Sequence, residues 1–78
     1  MSVKTVGIDL GKDKMHVVVL DEQGRVAERR VCASRTALAR FLAKLEPARV
    51  AMEACAGAHF VGRKAQQMGH DARLLPGQ

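Results

Sequence analysis

Aromatic residues are scarce in this chain of 78 residues, which has no tryptophan, no tyrosine and only two phenylalanines, Phe41 and Phe60. Proteins that bind single-stranded nucleic acid commonly stack its bases on aromatic side chains. The composition therefore predicts no aromatic platform for base stacking. It favours instead a core of Val, Leu, Ala and Met, which suits the packing of helices on a sheet.

Long apolar runs and a cysteine framework are also missing. No apolar stretch approaches the roughly 20 residues that a membrane-spanning helix needs, and the first residues lack the pattern of a signal peptide. The two cysteines, Cys32 and Cys55, stand at unrelated positions, and we interpret both as small, partly buried apolar side chains. These absences predict a cytoplasmic protein without a disulfide framework or a membrane partner.

The residues that are present predict a small basic globular domain. Hydrophobic residues make up 47% of the sequence, which is too high a share for a disordered chain. A chain of this length buries only about 60% of the surface that its unfolded form exposes. The formal net charge of +5 favours a polyanionic partner, although many basic domains bind no nucleic acid.

Apolar runs separated by turn residues predict five strands and two helices in an α/β fold. The strands are expected at Val3–Leu10, Met15–Leu20, Arg25–Val31, Val50–Glu53 and Ala72–Leu75. The first helix is expected to begin after the N-cap Ser34 and to end before Pro47. The second is expected at Ala58–Met68, with Phe60, Val61, Ala65 and Met68 facing inward.

The order of these elements predicts a mixed sheet, because hairpins come first and strand–helix–strand crossovers follow. The first strand, apolar at nearly every residue, is expected at the centre of the sheet and buried on both faces. The fourth strand can lie parallel beside it, and the more polar third strand is expected at an edge. The helix that would follow the fifth strand in a complete domain is missing.

Two acidic residues end apolar strands in this arrangement, Asp9 in the first and Glu53 in the fourth. Both are expected at the carboxyl ends of adjacent strands, where open α/β sheets place their ligand sites. Two neighbouring carboxylates disfavour joint ionisation unless a cation lies between them, and Mg²⁺ takes oxygen ligands. An alternative stays open, in which Asp9 caps a turn and Glu53 pairs with a nearby Lys or Arg.

Two motifs carry a resemblance to a known family. The segment Gly7-Ile8-Asp9-Leu10-Gly11-Lys12 resembles the first-acid motif of the DEDD transposases, and the segment from Met52 to Phe60 resembles their second. The segment from Gly69 to Pro76 resembles the part that follows. The whole chain thus resembles the amino-terminal RuvC-like domain of the insertion sequence 110 family, which includes the Piv and MooV invertases.

The resemblance implies an RNase H-like fold and a Mg²⁺-dependent recombinase that acts on DNA, with a guide RNA in some members. It makes Asp9 and Glu53 the first two of four acidic ligands in a two-metal site. The other two aspartates, and a serine in the family's carboxyl-terminal domain, match nothing before Gln78. We therefore interpret residues 1–78 as a truncated catalytic domain that has no recombination activity alone.

Other polar residues allow a functional and a structural interpretation. Lys12, Lys14 and His59 can contact nucleic acid, but lysines in a loop and a structural histidine explain them as well. Cys55 and His59 do not make a four-ligand zinc set. A basic face is possible on the five arginines Arg25, Arg29, Arg30, Arg35 and Arg40, although a solvated surface explains them equally. The sequence around His16 and His70 indicates no function for either histidine.

Two other functional classes share the first motif. One is an RNase H-like nuclease of the Holliday-junction resolvase type, and the residues around Glu53 favour the transposase over it. The other comprises actin-like ATPases and sugar kinases, whose phosphate loop continues with Thr or Ser rather than with Lys12 and Asp13. Apolar surface left uncovered near the fifth strand predicts a homo-oligomer.

Overall fold

A computed structural model describes residues 4–11, 13–53, 55 and 57–76, and these residues form five strands and two helices. The elements are β1 Thr5–Leu10, β2 Met15–Leu20, β3 Val26–Cys32, α1 Arg35–Lys44, β4 Arg49–Glu53, α2 Ala58–Gln67 and β5 Asp71–Leu75. The predicted α/β class and the predicted order of elements are confirmed. The expected start of the first strand at Val3 lies outside the described residues.

The five strands form one mixed sheet in the order β3-β2-β1-β4-β5. The central strand β1 pairs antiparallel with β2 and parallel with β4. At the two edges, β3 pairs antiparallel with β2, and β5 pairs parallel with β4. The predicted central β1, the parallel neighbour β4 and the edge position of β3 are therefore confirmed.

Both helices lie on the same face of the sheet, where α1 contacts β3 and α2 contacts β4 and β5. Crossovers between parallel strands are right-handed. Since the crossovers β3–α1–β4 and β4–α2–β5 proceed in the same direction across the sheet, both helices lie on the same face. The core lies between the helices and this face, around Val6, Val50 and Leu42. Among the described residues, no helix or strand covers the opposite face.

The prediction that β1 is buried on both faces is therefore wrong. Its side chains alternate, with Val6 and Ile8 in the core and Gly7 and Asp9 on the uncovered face. The same alternation runs along β2, where Met15 and Val17 are buried and His16 is exposed. The uncovered face is the face of the sheet opposite to the two helices. It leaves apolar side chains in contact with solvent, including Val31 at 55% exposure and Leu75 at 49%.

The helix α1 begins as predicted at Ser34, whose Oγ accepts a hydrogen bond from the Ala37 N–H at 3.1 Å. Leu38, Phe41 and Leu42 form its buried side. The helix ends at Lys44, before Pro47, as predicted. A single capped helix of this length depends on packing for most of its stability.

The helix α2 packs as predicted at Val61 and Ala65, which are buried, and at Met68, which lies against the core. Its buried residues are Ala58, Val61, Gly62 and Ala65, whereas Phe60 is 42% exposed. The prediction that Phe60 faces inward is therefore wrong, because the helical repeat puts it on the side opposite to this stripe. The cysteines also differ from expectation: Cys32 is buried, as predicted in part, but Cys55 is exposed, and both are free thiols.

Candidate functional site

The structure brings Asp9 and Glu53 to one place on the uncovered face. Ile8 of β1 pairs with Met52 of β4 in a parallel register, and the two acids are the next residues of these strands. Both side chains are exposed, and both line one open depression of about 430 Å³. Since the strands run in the same direction, the two carboxylates stand at the same edge of the sheet.

The strand register adds His16 to this place. His16 of β2 lies directly opposite Asp9, and Leu75 of β5 lies opposite Glu53. The exposed His16 lines the same depression, so the two acids have an imidazole on one side and an apolar side chain on the other. Sequence reasoning missed His16, although the short hairpin loop between Leu10 and Met15 fixes its pairing with Asp9.

The floor of the depression consists of small residues. Gly7 lies between Val18 and Ala51 in the neighbouring row of the sheet. A Cβ built on Gly7 would have only the Val18 carbonyl oxygen nearby, at 4.0 Å. The surface above the floor is therefore open, and a ligand can approach the backbone closely there.

Two arginines stand at the ends of the same row, Arg29 on β3 and Arg73 on β5. Arg73 donates hydrogen bonds to both carboxylate oxygens of Asp71, and the hydrogen bond and negative charge of Asp71 raise the pKa of Arg73 above its usual value. Because Asp71 offsets much of this charge, Arg29 is the more available cation beside the depression.

Neither acid is paired within the described part of the chain. The salt bridges there join Arg30 to Glu28 and both Arg49 and Arg73 to Asp71, and none involves Asp9 or Glu53. The alternative in which Asp9 caps a turn and Glu53 pairs with a cation has no such contact among these residues. Two exposed carboxylates on adjacent strands repel each other and favour a cation between them.

The donor set fits Mg²⁺ in type but is small. Carboxylate oxygens are the ligands that Mg²⁺ prefers, and Asp9 and Glu53 supply them from rigid strands. Among the described residues, no group of three or more His, Cys, Asp or Glu side chains is placed to hold a metal. His16 thus does not form a three-ligand group with the two acids.

Two of the residues predicted to contact nucleic acid, His59 and Lys14, do not line this depression. His59 is exposed in the first turn of α2 and does not line it. Lys14 is exposed, and its carbonyl oxygen accepts a hydrogen bond from the Gly11 N–H at 3.0 Å, which closes the hairpin loop. Lys12 lies outside the described residues.

The five arginines proposed as a basic face do not share one surface. Arg29 lies on the uncovered face, whereas the Arg30 guanidinium lies over the Phe41 ring of α1 on the other side of the sheet, at 4.8 Å from the centroid. The alternation of side chains along β3 separates these neighbours. Arg29 and Arg30 thus serve different surfaces, and the single basic face is not confirmed.

His70, for which no role was predicted, is buried at the opposite end of the sheet and connects three segments there. His70 is 5% exposed. Its Nδ1 accepts a hydrogen bond from the Ala48 N–H at 3.1 Å, and its Nε2–H donates to the Leu42 carbonyl oxygen at 2.7 Å. The imidazole therefore joins the last turn of α1 to the chain entering β4 and β5, and its role is structural.

Comparison with curated proteins relates the chain to transposases. It is 43% identical over 77 residues, 99% of its length, to a protein of Yersinia enterocolitica named "Transposase for insertion sequence element IS1328". It is 36% identical over all 78 residues to a protein of Pseudomonas aeruginosa named "Probable family 20 transposase". The chain spans 23% of the length of each of these relatives.

Two negative findings complete this description. No model of a protein family matches the chain. Neither of the two described helices is long and apolar enough to cross a membrane. The two relatives above nevertheless show that the chain is homologous, over almost its whole length, to a part of proteins named as transposases.

Proposed function

We propose that this chain is part of the RNase H-like, RuvC-like catalytic domain of a DEDD transposase of the insertion sequence 110 type. In this proposal, Asp9 and Glu53 are two of four acidic ligands for Mg²⁺, and the remaining ligands lie outside residues 1–78. The observation that carries the proposal is the pair of exposed carboxylates at the carboxyl ends of two adjacent parallel strands, lining one depression.

The proposal has support from three sides. The five-stranded mixed sheet agrees with the fold that the two acidic motifs imply. Ligand sites of open α/β sheets lie at the carboxyl ends of the strands, where both acids stand. The relatives named as transposases favour this class over a Holliday-junction resolvase and over an actin-like ATPase or sugar kinase.

The chain's own residues suit the cleavage and transfer of DNA strands. Asp9 and Glu53 would hold the metal from rigid strands, so its position would not depend on a mobile loop. A bound pair of Mg²⁺ ions, about 4 Å apart, stabilises the attacking and leaving oxygens of a phosphodiester. The floor at Gly7 leaves room for a DNA backbone, and Arg29 would attract its phosphates.

The partners that we propose are DNA, a guide RNA as in some members of the family, and further copies of the chain. The uncovered face, with exposed Val31 and Leu75, provides a surface for self-association. Two carboxylates alone bind Mg²⁺ weakly. We therefore expect the 78-residue chain to bind the metal without catalysing recombination.

Paramagnetic relaxation by Mn²⁺ tests the metal site even when binding is weak. We expect substoichiometric Mn²⁺ to broaden the amide NMR signals of Asp9, His16 and Glu53 before other signals. Asp9→Asn and Glu53→Gln should each abolish this broadening, because each removes one of two ligands. Glu22→Gln, an exposed carboxylate in the turn after β2, serves as the matched control and should change nothing.

Two results would contradict the metal site. One is broadening near Asp9 and Glu53 that persists in both variants. The other is the absence of any broadening there while another part of the chain is broadened.

A further inference from the structure

One aromatic side chain is exposed at the junction of the two helices, where it also lines a small void beside Leu38 and Leu42. Phe60 is 42% exposed on α2, whereas Phe41, the other phenylalanine, is 9% exposed and packed in the core. The buried stripe of α2 is complete without Phe60. An exposed ring alone is common on protein surfaces, so its surroundings decide whether it has a role.

The surroundings of Phe60 are basic. An open depression of about 420 Å³ between α1 and α2 is lined by Arg35, Thr36, Ala39, Phe60 and Lys64. The Lys64 Nζ lies 5.7 Å from the centroid of the Phe60 ring, within the range of a cation–π contact. Of the described residues that line this depression, which we call the Phe60 cleft, none is acidic.

The position of Arg35 depends on a glycine. Gly57 caps α2 with a left-handed φ of +89°, and the Arg35 guanidinium occupies the space that a Cβ at residue 57 would need. The Arg35 side chain thus lies against the start of α2, in the same depression as Phe60. Both helices begin at the carboxyl edge of the sheet, the edge at which Asp9 and Glu53 stand.

We propose, against the expectation from composition that the chain has no aromatic platform for bases, that the Phe60 cleft binds an unpaired base of single-stranded nucleic acid. Phe60 stacks on the face of the base, while Arg35 and Lys64 contact the flanking phosphates and the Thr36 hydroxyl donates to a phosphate or sugar oxygen. A duplex keeps its base faces inside the helix, so the ring selects for a single strand. The inference rests on the proposed function for a nucleic-acid partner and adds the single-stranded form and its contact residues.

The absence of tryptophan from the chain provides a direct assay. In Phe60→Trp the indole is the only tryptophan, and we expect its fluorescence to be quenched when oligothymidine is added. Val26→Trp places the same reporter at another exposed position, 48% exposed on β3, and should not be quenched. EDTA in every sample keeps the metal site out of the measurement, so this test can fail or succeed independently of the proposed metal site.

Affinity is measured on the chain without tryptophan, by the anisotropy of a labelled oligothymidine. Phe60→Ala should weaken binding about 5- to 150-fold, the range for loss of one stacked base. Lys64→Ala should weaken it and reduce its salt dependence, whereas Arg63→Ala, its exposed neighbour on α2, should have a smaller effect. Circular dichroism confirms that each variant is folded.

Three results would overturn the inference. The first is unchanged affinity in Phe60→Ala, and the second is equal affinity for a duplex of the same sequence. The third is a loss of self-association in Phe60→Ala, seen by light scattering, without a loss of oligothymidine binding. That outcome would assign the Phe60 cleft to contact with a second copy of the chain.

Discussion

Replacement of His70 tests how much of the stability depends on one buried imidazole. In His70→Ala the Ala48 N–H loses its acceptor inside the protein, where an unsatisfied group costs about 1–3 kcal/mol. The Leu42 carbonyl oxygen loses one donor but keeps the Leu45 N–H at 3.2 Å, so this loss costs about 0.5–1.5 kcal/mol. Together they predict a loss of about 1.5–4.5 kcal/mol.

This loss is large for so small a chain. At about 0.05–0.15 kcal/mol per residue, 78 residues correspond to a free energy of unfolding of about 4–12 kcal/mol. His70→Ala should therefore remove a substantial part of the stability. Urea denaturation followed by far-UV circular dichroism measures it, and His59→Ala, an exposed histidine on α2, should change it by less than about 0.5 kcal/mol.

Two variants with an amide side chain separate the contributions of the two His70 hydrogen bonds. In His70→Asn the side-chain oxygen takes the place of Nδ1 and keeps the bond from the Ala48 N–H. In His70→Gln the side-chain NH₂ takes the place of Nε2 and keeps the bond to Leu42. Because the bond to Ala48 is the costlier one to lose, we expect the order of stability native, Asn, Gln, Ala.

Hydrogen exchange of the Ala48 amide provides a second measure, since its protection should survive in the Asn variant and decline in the Ala variant. A loss below about 1 kcal/mol in His70→Ala, under the lower end of the cost of unsatisfied groups, would refute this reasoning. So would greater stability of the Gln variant than of the Asn variant.

Two further predictions concern the helix cap and the thiols. Ser34→Ala should lower the free energy of unfolding by about 1 kcal/mol, because the Ala37 N–H loses its partner; Ser34→Asp, which can cap in the same way, should restore it in urea denaturation. A thiol reagent should modify Cys55 rapidly in the native chain and Cys32 only on unfolding, since the first is exposed and the second buried. Cys55→Ser should remove the rapid phase, and a rapid phase that remains would contradict the burial of Cys32.

The sequence predicted the sheet well because its signals are local. Turn residues such as Gly24 and the Ser34 cap mark the ends of elements, and runs such as Met15–Leu20 form strands wherever they pair. The position of β4 beside β1 follows from the handedness of crossovers. The strand assignments and the position of β4 beside β1 were enough to predict that Asp9 and Glu53 lie close together.

The outward position of Phe60 on α2 could not be predicted from hydrophobicity. A Cβ on Gly62 would meet a Leu74 methyl group of β5 at 4.0 Å, which is an ordinary van der Waals distance. Ala58 and Gly62 are buried because the helical repeat places them on the side of α2 that faces the sheet. A scale of side-chain hydrophobicity favours Phe60 over both, although it belongs to the solvent side.

His16 and His70 escaped prediction for a different reason. The pairing of His16 with Asp9 depends on the hairpin register, in which a shift of one residue would turn the side chain to the other face. The hydrogen bonds of His70 join segments that are 22 and 28 residues away in the chain. Such contacts exist only once the fold has assembled.

The alternation of side chains along β1 divides two kinds of constraint between neighbouring residues. Val6 and Ile8 are held by the packing of the core, while Gly7 and Asp9 face a surface that no described element covers. Under the proposed function, selection for a stable domain and selection for metal binding act on different residues of the same strand. A lineage can then alter metal binding through Asp9 and keep its fold intact, or repack its core through Ile8 without displacing the carboxylate.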